Sequence, residues 1–193
     1  MIRVAPAPVP DGFEDAVERP GKLWLLENPT GRPKDLWSPV FRNKLADAFD
    51  QRCGYAAMYE PVGTVDHFVS CTEDRSRTYD WTNYRFASQW LNSSKFTLLA
   101  SQVIDPFEVD DTWFEILLPS LQLILTDAVP AGERERAQFM LDRLHLGHDE
   151  RILRQRRAWY RLFTDGKLTL EGLEHMAPLI ARAVRKQLAS EPG

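Results

Sequence analysis

The residue pattern changes at position 53, and this change limits the folds that the chain can adopt. Residues 38–53 (SPVFRNKLADAFDQRC) carry apolar side chains at helical spacing, behind a serine cap and a first-turn proline, which predicts a helix. Residues 53–69 (CGYAAMYEPVGTVDHFV) instead contain two short β-type runs, 55–59 and 64–69, on either side of EPVG. This pattern predicts a β-hairpin directly after the helix.

Helical and β-type segments continue to alternate after the hairpin. The polar residues 70–80 (SCTEDRSRTYD) predict a surface loop, and residues 81–96 (WTNYRFASQWLNSSKF) predict a helix. Residues 112–127 contain two β-like runs with a turn at 119–120, and from about residue 132 the pattern is helical. The expected fold class is therefore α+β.

Three parts are expected along the chain. Residues 1–37 form an N-terminal arm, in which the proline-rich residues 1–12 are extended and residues 13–27 form a short helix interrupted by a Pro-Gly break. Residues 38–100 form the core with the first hairpin. Residues 101–193 add a second β-hairpin and a helical C-terminal region packed on that core.

Composition and charge place the chain among ordinary globular proteins. Its 193 residues suffice for one packed domain, and the net charge of −4 lacks the basic balance that is usual in nucleic-acid-binding domains. Two cysteines, Cys53 and Cys71, favour a reducing compartment over a disulfide-stapled secreted domain. The start of the chain lacks the apolar core of a signal peptide, and no apolar run approaches the roughly 20 residues that span a bilayer. The expected location is cytoplasmic, with no membrane partner.

A set of polar residues follows the predicted strand end in a recognisable order. Asp66 and His67 lie in VDHFV, Asn83 lies in YDWTNYRFA, and Asn92 and Lys95 lie in LNSSK. This order is similar to the HNH, or ββα-metal, endonuclease motif, in which a hairpin and a helix carry the catalytic residues. The resemblance implies a ββα-metal core at residues 38–100.

The resemblance implies a role for each of these residues. His67 would be the general base that activates water, and Asn83 would be the second catalytic residue, which orients His67. Asp66 and Asn92 would bind one divalent ion, Mg²⁺ or Mn²⁺, through a carboxylate and an amide oxygen.

Two cations of the same segment, Arg85 and Lys95, would contact the substrate phosphate. A further basic stripe lies on a predicted C-terminal helix and consists of Arg151, Arg154, Arg157 and Arg161. Together with neighbouring aromatic residues, this stripe is either a nucleic-acid or partner surface or an ordinary solvated helix face.

The zinc-binding cysteines of the family are mostly missing. The two pairs would fall at positions 53 and 56 and at positions 88 and 91, where the chain has Cys53, Ala56, Ser88 and Leu91. A structural zinc ion needs four ligands, so no structural zinc is expected, and apolar packing is expected in its place.

The function implied by the resemblance is metal-dependent hydrolysis of phosphodiester bonds. DNA is the expected substrate, ahead of RNA. Some proteins of this general layout work beside an ATPase in anti-phage defence, which implies a similar partner here. The alternative is a non-catalytic interaction protein on a degenerate HNH scaffold. His67 would then be a structural residue at the end of a strand. Another interpretation, a nucleophilic pair of Cys71 and His67, lacks a third group that would orient the histidine. The histidines of HLGH (145–148) are either a metal site or solvated residues at a helix end.

Overall fold

The computed structural model describes residues 1–190 of the chain. Over this range, seven α-helices and two small antiparallel hairpins make an α+β fold with about 48% helix. The helices are α1 Arg19–Glu27, α2 Pro39–Ala48, α3 Gln89–Lys95, α4 Ala131–Arg143, α5 Glu150–Thr164, α6 Leu170–Met176 and α7 Pro178–Ser190. The strands are β1 Thr64–His67, β2 Tyr84–Ala87, β3 Phe114–Leu117 and β4 Gln122–Leu125. None of these helices is long and apolar enough to cross a membrane.

The first hairpin is built differently from the prediction. Helix α2 begins at Pro39 as expected and buries Phe41 and Leu45, but residues 55–59 do not form a strand. A single bridge joins Arg52 to Tyr59. Strand β1 pairs instead with β2, which comes after the polar loop, so the hairpin spans a longer stretch of chain than the sequence pattern indicated.

The helix predicted over residues 81–96 is therefore wrong in its first half. A short 3-10 turn, Trp81–Asn83, leads into β2, and α3 begins only at Gln89. All four residues of β2 are buried. Buried backbone N–H and C=O groups need partners, and pairing with β1 supplies them, so tertiary context overrides the helical spacing.

The hairpin separates two hydrophobic clusters. The N-terminal cluster consists of Phe13, Val17, Phe41, Leu45, Ala46, Phe49, Val65, Tyr79, Trp81, Tyr84 and Phe86. The C-terminal cluster contains Cys53 and residues 55–58, Ala87, Leu91 and the buried residues of the second hairpin and of α4–α7. Because side chains alternate along a strand, Val65 and His67 face the N-terminal cluster, whereas Thr64 and Asp66 face the opposite way.

The helix of the N-terminal arm lacks the Pro-Gly break that the sequence predicted. Residues 1–10 form neither helix nor strand, residues 11 and 12 form a turn, and the Val4 N–H donates to the carbonyl of Pro106 at 2.8 Å. A π-helical turn at Glu14–Glu18 then runs straight into α1, since proline is tolerated in a first helical turn. Gly21 lies against the ring of Tyr79, where a Cβ atom would be 2.3 Å from Cγ, so this glycine allows the close approach.

The C-terminal region matches its prediction. Strands β3 and β4 pair antiparallel with the turn where it was expected, and helices follow from Ala131 onward. Arg156 of α5 is buried and donates to the carbonyls of Leu121, Leu146 and Gly147, so it ties α5 to the second hairpin.

Candidate functional site

His67 ends β1 in an aromatic environment. Its ring centroid lies 4.9 Å from that of Trp37 and 5.2 Å from that of Tyr84, both in edge-on geometry. The Nε2 atom is 2.8 Å from the carbonyl oxygen of Thr78. A carbonyl oxygen can only accept, so Nε2 carries the proton and Nδ1 of the neutral ring keeps its lone pair. Burial lowers the pKa of His67, only partly offset by the Asp66 charge, which favours the neutral ring.

Asn83 fixes the loop that supplies this carbonyl. Its Oδ1 accepts from the Val69 N–H at 2.8 Å, and its Nδ2 donates to the carbonyls of Val69 and Arg77 at 3.0 and 3.1 Å. One side chain thus ties the beginning of the loop to its end. Because Thr78 follows Arg77 directly, Asn83 acts on the orientation of His67 through the backbone of this loop.

Asp66 lies on the opposite face of β1 from His67. It is 2% exposed, and both carboxylate oxygens already accept from protein donors. Tyr55 donates its hydroxyl to Oδ2 at 2.5 Å, and Lys95 lies with Nζ 3.1 Å from Oδ1. Burial raises the pKa of Tyr55 well above its usual range, so the phenol stays a donor. The structure therefore brings Asp66 and Lys95 together but directs the side chains of Asp66 and His67 apart.

Arg85 also lies in the interior, at 3% exposure. Its guanidinium donates to both oxygens of Asp105, at 2.7 and 2.6 Å, and lies 3.5 Å over the ring of Phe107. Lys95, at 0% exposure, is equally enclosed. The two side chains expected to contact phosphate thus form ion pairs inside the protein.

Asn92 is half-buried on α3, and its Nδ2 donates to the carbonyl of Val65 at 3.1 Å. Its amide oxygen and the Asp66 carboxylate are the right kind of ligand for Mg²⁺. However, a divalent ion at Asp66 would have to displace the Lys95 ammonium or the Tyr55 hydroxyl. As the chain is folded, these donors do not fit a divalent ion. Across residues 1–190, no group of three or more His, Cys, Asp or Glu side chains could hold a metal ion.

The four positions that correspond to the family's zinc ligands are all buried. The Ser88 N–H donates to Cys53 Sγ at 3.4 Å, and Ser88 Oγ lies 4.0 Å from this sulfur. Two thiolates on a tetrahedral zinc ion would be about 3.8 Å apart, given zinc–sulfur bonds of about 2.3 Å. Ala56 and Leu91 lie with Cys53 in the C-terminal cluster, so apolar packing joins the segment after α2 to α3.

Other candidates stay on the surface. Within the described chain, Arg151, Arg157 and Arg161 of the basic stripe form exposed ion pairs with acidic neighbours. His145 and His148 are exposed. Cys71 is partly exposed, and no hydrogen bond or ring contact joins it to His67 among residues 1–190.

Sequence reasoning missed several residues that complete this site. Tyr55 and Asp105 are the partners of Asp66 and Arg85, and they lie 11 and 20 residues away in the sequence. Thr78 contributes only its backbone carbonyl, which no residue type can indicate. The aromatic residue Trp37 precedes α2 without any motif around it, and only the tertiary fold brings it to His67.

Neither a scan against protein-family models nor a search of curated proteins finds a match for this chain. The likeness to HNH endonucleases therefore rests on the three quoted segments and on the positions of their residues.

Proposed function

We propose that this chain is an HNH-type endonuclease that hydrolyses phosphodiester bonds in DNA, or secondarily in RNA, with His67 as general base. The observation that carries the proposal is the hydrogen bond of the imidazole. Nε2 donates to the Thr78 carbonyl, burial lowers the pKa of His67 and so favours the neutral ring, and Nδ1 is left to accept a proton. The order β1, loop, β2, α3, with Asn83 and Asn92 at the motif positions, supports a ββα core.

In this mechanism, Nδ1 of His67 takes a proton from the water that attacks phosphorus. The Thr78 carbonyl accepts from Nε2–H throughout and stabilises the imidazolium that forms. Asn83 keeps the loop, and hence the ring, in place. The bond between phosphorus and the leaving oxygen breaks as the water oxygen bonds to phosphorus, and solvent protonates the departing oxygen. Because Asp66 is bonded to Lys95 and Tyr55, the proposal rests on His67 and not on a metal ligand.

The cellular setting belongs to the same proposal. Cytoplasmic action agrees with two unpaired cysteines, Cys53 and Cys71. Work beside an ATPase partner in anti-phage defence follows from the resemblance in layout alone.

The test compares cleavage by the native chain and by His67→Gln, with supercoiled plasmid and with RNA, in Mg²⁺, in Mn²⁺ and in EDTA. Glutamine can still donate to the Thr78 carbonyl but has no basic nitrogen, so we expect cleavage to slow by about 100-fold or more. His148→Ala, at an exposed histidine, is the matched control. Equal traces from the native chain and His67→Gln would contradict the catalytic role.

One observation favours a second candidate, a non-catalytic interaction protein on a degenerate HNH scaffold. Asp66, Arg85 and Lys95 are all buried in ion pairs, as a structural core would have them. A native chain that cuts neither DNA nor RNA, yet binds a partner equally well with and without His67→Gln, would establish this alternative.

A further inference from the structure

The Lys95 ammonium has a complete set of partners at the end of β1. Besides Asp66 Oδ1 at 3.1 Å, it donates to the carbonyl oxygen of His67 at 2.6 Å and lies 5.8 Å from the centre of the Phe68 ring. No part of Lys95 is exposed. A buried ammonium without such partners would be very costly, so these contacts hold Lys95 in place.

These partners are also what a small hard cation would use. Mg²⁺ and Mn²⁺ bind carboxylate and carbonyl oxygens, and here both kinds of oxygen already bind the ammonium. The Tyr55 hydroxyl occupies the other oxygen of Asp66. The negative charge of Asp66 is balanced, and an incoming dication would find neither a free oxygen on this carboxylate nor a net negative charge.

We propose that Lys95 is the built-in cation of this site and keeps divalent ions away from Asp66. The relevance of this role to catalysis rests on the proposed function of His67. Its consequence is that hydrolysis by this chain does not depend on an ion bound at Asp66, in contrast to the role that the resemblance implies for this carboxylate.

The test is a Mn²⁺ titration of the full chain, followed by the electron paramagnetic resonance signal of free Mn²⁺. We compare the native chain with Asp66→Asn, with Lys95→Met, with the double variant Asp66→Asn/Lys95→Met, and with the exposed-lysine control Lys44→Met. The native chain, Asp66→Asn and Lys44→Met should bind Mn²⁺ alike, through surface carboxylates only. Lys95→Met should gain a site at least about tenfold tighter, and the double variant should lose it again.

Two results would overturn the proposal. One is a Mn²⁺ site in the native chain that Asp66→Asn removes. The other is a folded Lys95→Met that gains no site. If circular dichroism shows Lys95→Met unfolded, Lys95→Gln takes its place, because glutamine keeps a donor for the His67 carbonyl. If neither folds, the comparison of the native chain with Asp66→Asn decides.

The titration separates this inference from the proposed function. Cleavage that depends on His67, together with Mn²⁺ bound at Asp66, would overturn only the role of Lys95. Exclusion of Mn²⁺ from Asp66 without any cleavage would overturn only the nuclease proposal.

Discussion

The two faces of the first hairpin give neighbouring residues opposite chemical states. On one face, the Asp66 carboxylate meets the Lys95 ammonium, and Arg85 meets Asp105, so each buried charge has a partner of opposite sign. On the other face, His67 meets two aromatic rings and a backbone carbonyl. Adjacent residues of a motif therefore need not share a site, because successive side chains of a strand point to opposite faces of the sheet.

The two faces differ in how the cost of burying a polar or charged side chain is offset. The charged face keeps its ions because each has a close counter-ion and further hydrogen bonds. Among residues 1–190, His67 has two aromatic rings and a backbone carbonyl in place of an ion-pair partner, and burial lowers its pKa, which favours the uncharged ring. Variants on the two faces should consequently change stability for different reasons. On the charged face a variant removes an ion pair, and on the aromatic face it changes how stability depends on the protonation of His67.

The largest effect is expected from breaking the ion pair on one side only. Lys95→Met should lower the free energy of unfolding by about 3–5 kcal/mol, because it leaves the Asp66 carboxylate buried without its counter-ion. The double variant Asp66→Asn/Lys95→Met should recover much of this loss. Urea unfolding of the native chain and of these variants measures both. A loss below about 1 kcal/mol for Lys95→Met would mean that the pair is solvated, as surface pairs are.

A smaller effect is expected at the second donor to the same carboxylate. Tyr55→Phe keeps the ring in the C-terminal cluster but removes the hydroxyl group that donates a hydrogen bond to Asp66 Oδ2. The expected loss in unfolding free energy is about 1–3 kcal/mol, the range for a buried polar group left without its partner. Tyr59→Phe, at a half-buried tyrosine with no hydroxyl bond to Asp66, is the control in the same urea series.

On the aromatic face, acid should destabilise the chain through His67. The folded pKa lies below the unfolded value of about 6.5, so the unfolded chain binds more protons between the two values. Stability is intact above about pH 6.5 and falls as the pH drops through the folded pKa, by at most about 1.4 kcal/mol per pH unit for one proton. His67→Gln should flatten this slope between pH 7 and 5, whereas His148→Ala should not. An unchanged slope in His67→Gln would argue against a lowered pKa of His67 in the folded chain.

The smallest effect is expected at Asn92. Asn92→Ala removes one hydrogen bond to the Val65 carbonyl at a half-buried position, which should cost about 0.5–1.5 kcal/mol. Asn92→Asp, which can no longer donate to this carbonyl, should cost at least as much. If both variants match the native chain in urea, this contact does not hold α3 to β1.

Much of the fold was predictable because its signals are local. The apolar spacing and first-turn proline of residues 38–53 predict α2, and the alternation around the turn at 119–120 predicts the second hairpin. Strand β2 was not predicted, because Tyr84, Ala87, Trp90 and Leu91 also fit one face of a helix. Only the pairing of this segment with β1 decides between strand and helix.

For the candidate site, the sequence indicated which residues match the proposed motif but not which side chains contact one another. The order of Asp66, His67, Asn83 and Asn92 in the sequence indicated a motif, and the loop contacts of Asn83 agree with the orienting role expected for it. That Lys95 and Arg85 turn inward could not be foreseen, since their partners, Asp66 and Asp105, are matched by tertiary packing across 29 and 20 residues.

The position of the hairpin between two hydrophobic clusters also sets how the chain can open. In the native chain, a route for solvent to Asp66 must separate β1 from α3, which the Lys95 ion pair joins, or from the segment that carries Tyr55, and both are anchored in the C-terminal cluster. Deuterium should therefore exchange at the backbone amides of Asp66 and Arg85 only through nearly global unfolding. The terminal helical turn at Ser190 and the exposed loop at Thr72 should exchange orders of magnitude faster.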